Sequence, residues 1–495
     1  MEKKNNLNKI IIVTSVIIII FILIIFLIFV FTNKDNYNNV SNNIFENVSQ
    51  IDETQEENDK MLQDKNITII DDNTVNLNRK FGKIEIVWID ENNNVIKNPL
   101  PPYLGGLTPV KIGPSSSEFI QTVENDSEWY NYENQKWANA IAEDGSYFVW
   151  IPRFAYRIVY YSNLDYSKVI GFCDGRGVLK LNEDGSFTRI AKNNTGIRET
   201  ENHYIVAPAF SKDTASGYRN GGWSKDLSGI WVSKYEMSME TNGMHTETNN
   251  STIGNVRTSE SIKAVSKPGV SSWRNINVNN CYLNSYYYDR NRDSHLIKNS
   301  EWGAVTYLSY SKYGTNGNII ENNTSSQYLT GGTNSESTIY ITNKNQSSNG
   351  NETGVYDLAG GAWEYTAAYI NNGYSGLKQN GGETEEDLFG SRNSKYKTVY
   401  NHDINDKGND YNAVYSNNNY ALTLGIRGDA IFETSNAGYG SEGWNTNSSF
   451  FPQSDIPFFI RGGDYHGDTS TGMFSYNGYS GNTNMGESFR VVLSF

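Results

Sequence analysis

The stretch GVYDLAGGAWEYTAAY, residues 354–369, sets an acid between two aromatics, Trp363-Glu364-Tyr365, just after the pair Gly360-Gly361. A carboxylate so placed can move protons, ligate a hard cation through oxygen, or brace the fold. Other chemistry-bearing patterns are sparse. The five histidines, His203, His245, His295, His402 and His466, form no H-E-x-x-H or other compact metal spacing. NGYSG occurs at 372–376 and 477–481, and neither copy is the G-x-S-x-G of a nucleophile elbow. No Walker-type phosphate loop is present. His466 with Asp464 and Asp468 is the tightest His/Asp grouping, and it reads either as a polar surface loop or as a metal or acid–base cluster. Cys173 and Cys281 form no C-x-x-C, which argues against a thiolate zinc site. They either pair across a large loop or remain buried free thiols.

The elements that must position these residues follow from composition. The chain has 495 residues, room for two or three domains at about 150 residues each. Charged residues make up only 19% and aromatics 13%, with 34 Tyr and 44 Gly, so short strands and long polar loops are favoured over long helices. A net charge of −14 argues against a nucleic-acid groove, which needs a basic patch to neutralise phosphate.

The N-terminus carries location signals. Residues 10–31 are an apolar run of 22, interrupted only by Thr14 and Ser15. At about 1.5 Å per residue the run can cross a hydrocarbon core of about 30 Å. Lys3, Lys4 and Lys9 place residues 1–9 in the cytoplasm and the body outside, a single-pass cell-membrane protein. A cleaved signal peptide is the alternative, and it exports the body equally. Residues 32–79 are expected to be an acidic, disordered linker. Between Ser41 and Asp72 nine Asp or Glu face two Lys, supplying −7 of the −14.

Order is expected from about residue 80. KIEIVWID (83–90) alternates as a strand, PLPPYLGGLTPV (99–110) is a loop, and SEWYNYENQKWANAIAEDG (127–145) reads as a short helix with Trp137, Ala140 and Ile141 on one side. SYFVWIPRFAYRIVYY (146–161) reads as one long strand. NSEWGAVTYLSYSKYG (299–314) reads as a helix capped by Asn299 or Ser300 and ended by Gly314, with Trp302, Val305 and Leu308 on one face. Phe489 and Val491 alternate as a buried terminal strand does.

Six motifs then occur in order: FVWIPRFAYRI (148–158), GIWVSKYEMS (229–238), NSEWGAVTYLSYSKYG (299–314), GVYDLAGGAWEYT (354–366), RGGDY (461–465) and SFRVV (488–492). Together they resemble the formylglycine-generating, or sulfatase-modifying-factor, family over residues 146–495. The resemblance implies an α+β, C-type-lectin-like domain with short strands, few helices and long loops. A small β-rich accessory segment (80–145) and the N-terminal transmembrane helix precede it. In that family the segment around the acid contributes to a calcium site. Carried over, this implies a structural Ca²⁺ held by Glu364 with backbone oxygens of Gly360 and Ala362, although Gly361 stands where the family has Asn. The family's oxidase members carry a copper-binding cysteine pair between the RGG strand and the final FR. Residues 461–490 hold no cysteine, so no copper site and no oxidase activity of that type is expected.

Binding is the favoured use. In lectin-type folds irregular loops on a rigid frame meet the ligand. The corresponding segment DYHGDTSTGMFSYNGYSGNTNMGE (464–487) mixes Tyr, Phe, Ser, Gly and Asn as paratopes do. Tyr465, His466, Phe474, Tyr476, Asn477, Tyr479 and Asn482 are the candidate contacts for a glycan or protein ligand outside the cell. The same fold serves variable proteins diversified by retroelements in their C-terminal loops. The alternatives are an oxidoreductase of the formylglycine-generating type with a rewired site, and a structural cell-surface protein.

Overall fold

Alternation along GKIEIVW turns Ile84, Ile86 and Trp88 inward, and the strand Gly82–Trp88 pairs antiparallel with Phe154–Tyr160. The structure, a computed structural model, describes residues 82–160, 178–190, 203–212, 222–241, 244–245, 262–332, 341–390, 394–401, 428–434, 439–452 and 455–495, apart from 116, 342, 468 and 469. The 10–31 run, the 32–79 linker and Cys173 lie outside these residues. Among the described residues no helix is long and apolar enough to cross a membrane.

The chain is mostly sheet with few helices. One seven-stranded sheet runs in the order His295–Leu296, Val491–Leu493, Gly229–Ser233, Tyr147–Pro152, Asn139–Ile141, Thr108–Ile112, Phe119–Gln121. A five-stranded sheet holds Gly82–Trp88, Phe154–Tyr160, His203–Val206, Val178–Leu181 and Phe187–Ile190. A three-stranded sheet joins Met244–His245, Ser238–Thr241 and Ile262–Val265. In the fourth, Trp363–Asn371 is central, flanked by Thr398–Asn401 and Phe458–Arg461, with Tyr476–Tyr479, Ser448–Phe450 and Tyr439–Glu442 beyond and Glu487–Phe489 alongside in parallel.

Two sequence readings of secondary structure are corrected here. Residues 127–145 form no α-helix: a 3₁₀ turn at Tyr132–Asn134 leads into the strand Asn139–Ile141, which is paired on both sides. That double pairing buries Ala138 and Ala140 outright, and it mimics a helical face in the sequence. The run 146–161 is two strands in two sheets, broken at Pro152-Arg153. Arg153 is fully buried at the corner and donates to the carbonyls of Asp90 and Phe210 and to the side chains of Asn93 and Asp226. Finally, residues 82–145 share one hydrophobic core with the rest: Ile84, Trp88 and Trp137 pack in the same cluster as Trp231, Trp302 and Phe489.

Helix α1 spans Val278–Tyr286 and α2 spans Asn299–Tyr310. All twelve residues of α2 are buried, so the face of Trp302, Val305 and Leu308 is only part of its packing. Its entry is held by Glu301, whose Oε2 accepts from the Lys298 amide at 2.9 Å, in place of an Asn299 or Ser300 cap. Asn299 instead donates to the Tyr400 hydroxyl and accepts from Thr366. The imidazole of His295 is also consumed structurally, with Nε2 2.9 Å from Glu301 Oε1.

Candidate functional site

The two glycines of GAWEY tie three segments together. Both lie in the left-handed region, Gly360 at φ 78° and Gly361 at φ 72°. Gly361 N donates to Asn323 O at 2.7 Å, and Gly361 O accepts from Tyr465 N at 2.9 Å. A β-carbon on Gly360 would stand 2.4 Å from Asn323 O, and one on Gly361 would stand 2.5 Å from Glu236 Oε1. The motif therefore sets the 323–328 loop and the 464–467 loop side by side.

Glu364 lies beneath them with no exposed surface. Its Oε1 accepts from Arg490 Nη2 at 2.6 Å and its Oε2 from Arg490 Nε at 3.0 Å. The same guanidinium donates to the carbonyls of Ser233 and Tyr356, each at 2.8 Å. Glu236 and Asp357 complete a buried group of three carboxyls around one arginine. Burial first, opposed by Arg490 and aided by Asp357, pushes Glu364 up to about 7. Burial raises Asp357 too, and it raises Glu236 well above the carboxylate range with help from Asp357 and Glu364. This donor set does not fit Ca²⁺. Both Glu364 oxygens already face a fixed cation, and a Glu236 oxygen fills the space beside Gly361. Among the described residues no three His, Cys, Asp or Glu side chains converge as metal ligands.

Of the seven predicted contact residues the structure places two in the core. Phe474 is fully buried, edge-on to Tyr310 and Trp444 at 5.1 and 5.3 Å. Tyr476 is buried in the cluster of Tyr400, Phe451 and Phe459, its hydroxyl 2.6 Å from Ser449 Oγ. The strand Tyr476–Tyr479 alternates in and out, so Asn477 and Tyr479 remain half-buried while Tyr476 points inward. Tyr479 Oη accepts from Asn484 Nδ2. Asn482 is exposed, and its carbonyl accepts from Tyr365 Oη at 2.8 Å.

The rings of Tyr465 and His466 lie side by side, centroids 3.7 Å apart and planes tilted by 35°, on a turn that Asp464 holds by accepting from the His466 and Gly467 amides. Their neighbours were not foreseen. Tyr328 meets Tyr465 edge-on at 4.7 Å, and the Arg274 guanidinium lies 3.8 Å above the Tyr328 ring. Arg274 Nη1 donates to the carbonyl of Met485, whose side chain is 58% exposed. Tyr328 has φ 55°, a costly conformation for a bulky residue, held by Tyr328 N to Ser325 O and Ser272 N to Tyr328 O. Burial, opposed by Arg274, raises its hydroxyl to about 12, so it stays a hydrogen-bond donor. Tyr328 and Tyr465, both half-buried, and the exposed His466 thus lie side by side, with the buried Arg274 against Tyr328 and bonded to the carbonyl of the exposed Met485. No spacing signal joins Arg274 and Tyr328 to the 464–487 loop: Arg274 reaches it through the Met485 carbonyl, and the Tyr328 loop reaches it through Asn323 and Gly361.

The other candidates fall outside this face. The side chains of His203 and His245, all of His402, and Asp468 lie outside the described residues. Cys281 is a buried free thiol on α1, pushed well above its ordinary value by burial.

No family model matches the chain, and no curated protein matches it. The sulfatase-modifying-factor resemblance thus has no family-model counterpart. Among solved structures the chain is similar to variants of the major tropism determinant, proteins of C-type-lectin-like fold. The M1 variant is 11% identical over 82% of this chain and 93% of that one, with a TM-score of 0.26. The I1 variant is 10% identical over 82% and 94%, also at 0.26, and the P3c variant 10% over 72% and 80%, at 0.24.

Proposed function

We propose that this chain is a cell-surface binding protein, anchored through residues 10–31, that recognises a protein or glycan ligand on a C-type-lectin-like frame. The observation that carries the reading is the aromatic face. Tyr328 is held in a strained conformation between the buried Arg274 and the half-buried Tyr465. Strain of about 1–3 kcal/mol persists where the surroundings over-determine it, and ligand clamps are one such place. Tyr, Arg and Met are also the residue types enriched at interface centres. The contact set is Tyr328, Tyr465, His466, Tyr479, Asn482 and Met485, with the buried Arg274 supporting the Tyr328 ring.

The six family motifs and the glycine-linked loops support the frame. Against the oxidase alternative stands the absence of cysteine in residues 461–490. The test is a screen of the full chain on glycan and extracellular-protein arrays, with calcium and with a chelator. A saturable hit that persists in chelator and is lost on Tyr465→Ala supports the reading. A blank screen from cooperatively folded protein overturns it in favour of a structural surface protein.

A further inference from the structure

We propose that Lys234 and Asn139 join covalently, through an amide between the lysine side-chain nitrogen and the asparagine side-chain carbon. The cross-link is independent of what the aromatic face binds.

Position brings the two residues together. Lys234 follows the strand Gly229–Ser233 and Asn139 opens the strand Asn139–Ile141, with Tyr147–Pro152 between the two in one sheet. Lys234 N donates to Tyr147 O, and Asn139 stands in register with Val149, so both side chains start beside the same end of the middle strand. They meet with Lys234 Nζ 2.9 Å from Asn139 Oδ1. Neither is open to solvent: Lys234 has no exposed surface and Asn139 has 1%.

The asparagine is fixed the right way round. Its Nδ2 donates to Trp137 O at 2.9 Å and to Thr353 O at 2.7 Å, which uses both amide hydrogens and turns the carbonyl to the lysine. The other two Nζ contacts are the backbone carbonyls of Glu352 at 2.7 Å and Gly354 at 2.8 Å. A neutral amine has two hydrogens for those two carbonyls. Its lone pair then faces the Asn139 carboxamide.

The surroundings suit a neutral nucleophile. All three Nζ contacts are to uncharged amide oxygens, and the rings of Phe119 and Tyr356 stand 5.1 and 4.7 Å away. Burial pushes the amine well below the ordinary lysine value, with the Glu352 charge acting the other way. Desolvated lysines are nucleophiles, and a dry pocket keeps water from competing. An ammonium donating to all three oxygens is the non-covalent alternative, and it leaves the mass of the chain unchanged.

The reaction needs no co-reactant. The Lys234 nitrogen bonds the Asn139 side-chain carbon, the bond from that carbon to Nδ2 breaks, one amine hydrogen moves to the departing nitrogen, and ammonia leaves. Nothing is oxidised or reduced. Holding the partners in contact supplies the proximity that free side chains lack. The product closes a loop between residues 95 positions apart, a constraint on the unfolded chain like that of a disulfide. Cys281 is a free thiol, so no disulfide joins the chain's two cysteines.

The experiment is intact-mass spectrometry of the denatured full chain, followed by proteolysis and peptide mapping. The expected wild-type mass is that of the sequence less one ammonia, with a branched peptide linking Lys234 to Asn139. Lys234→Met and Asn139→Ala should each restore the full sequence mass. Asn139→Asp should lose water instead and reach the same product mass as wild type, because the amide formed is identical. The inference is overturned if the wild-type mass equals that of the sequence, or if digestion releases Lys234 and Asn139 on separate peptides. It is also overturned if the ammonia loss survives Lys234→Met, which would mark a cyclic imide at an Asn-Gly step such as Asn316-Gly317.

Discussion

Replacing Arg490 with Met tests what the acid of GAWEY is for. Arg490 has no exposed surface, and its guanidinium makes four donor contacts: two to Glu364 and one each to the carbonyls of Ser233 and Tyr356. Its removal strands two carbonyls and leaves Glu236, Asp357 and Glu364 without their common cation. Breaking a buried pair from one side costs about 3–5 kcal/mol. Glu364→Gln removes charge from the same group but keeps an acceptor, and should cost about 1 kcal/mol. The pH dependence has a definite sign. Glu364 binds its proton more tightly folded, at about 7, than unfolded, at 4.5. Its contribution is therefore fully favourable below 4.5 and is lost as pH rises to about 7, by about 3 kcal/mol. Without Arg490 the acid moves higher still, so the Arg490→Met deficit should be larger at pH 8 than at pH 6. Urea unfolding of the full chain at the two pH values, with and without chelator, measures all of this. A deficit under about 0.5 kcal/mol, or a wild-type midpoint that falls on chelation, would refute the ion-pair account.

Gly361→Ala should destabilise by about 2 kcal/mol or more and loosen the Tyr465 loop, seen as faster amide exchange at Tyr465, because φ is positive and Glu236 Oε1 stands 2.5 Å from the new carbon. Glu487→Gln should be more stable than wild type at pH 9 in chemical unfolding, since burial raises the wild-type acid to about 8 and its stability is lost as pH climbs from 4.5 through 8. Phe474→Ala should cost about 3–5 kcal/mol of stability, whereas Tyr465→Ala should cost only about 0.5–1.5 kcal/mol, the worth of its edge-on contact with Tyr328, while removing binding.

Local patterns carried a good share of the fold. The strand at 83–90 and the helix from Asn299 were legible from their apolar spacing, although the cap read at Asn299 or Ser300 is replaced by Glu301. The bracing role of Glu364 was legible as one option from its aromatic flanks. Its partner was not, since Arg490 lies 126 positions away and no local rule links them. Residues 464–487 misled because glycine and asparagine mark loops, while the four-residue strand Tyr476–Tyr479 within them still obeys alternation and hides Tyr476. The break at Pro152-Arg153 did have a signal, since proline is poorly tolerated inside a paired strand. Arg274 and Tyr328 had none. Their meeting with Tyr465 depends on two backbone bonds at Gly361 and on a left-handed tyrosine, neither of which leaves a periodic trace.

The most direct test is the affinity ratio between wild type and Tyr465→Ala for the strongest array ligand, measured where both are fully folded. A loss of at least about tenfold with the fold intact is the predicted result, that of a central aromatic contact. An unchanged affinity would contradict the claim that Tyr328, Tyr465 and His466 form the binding face.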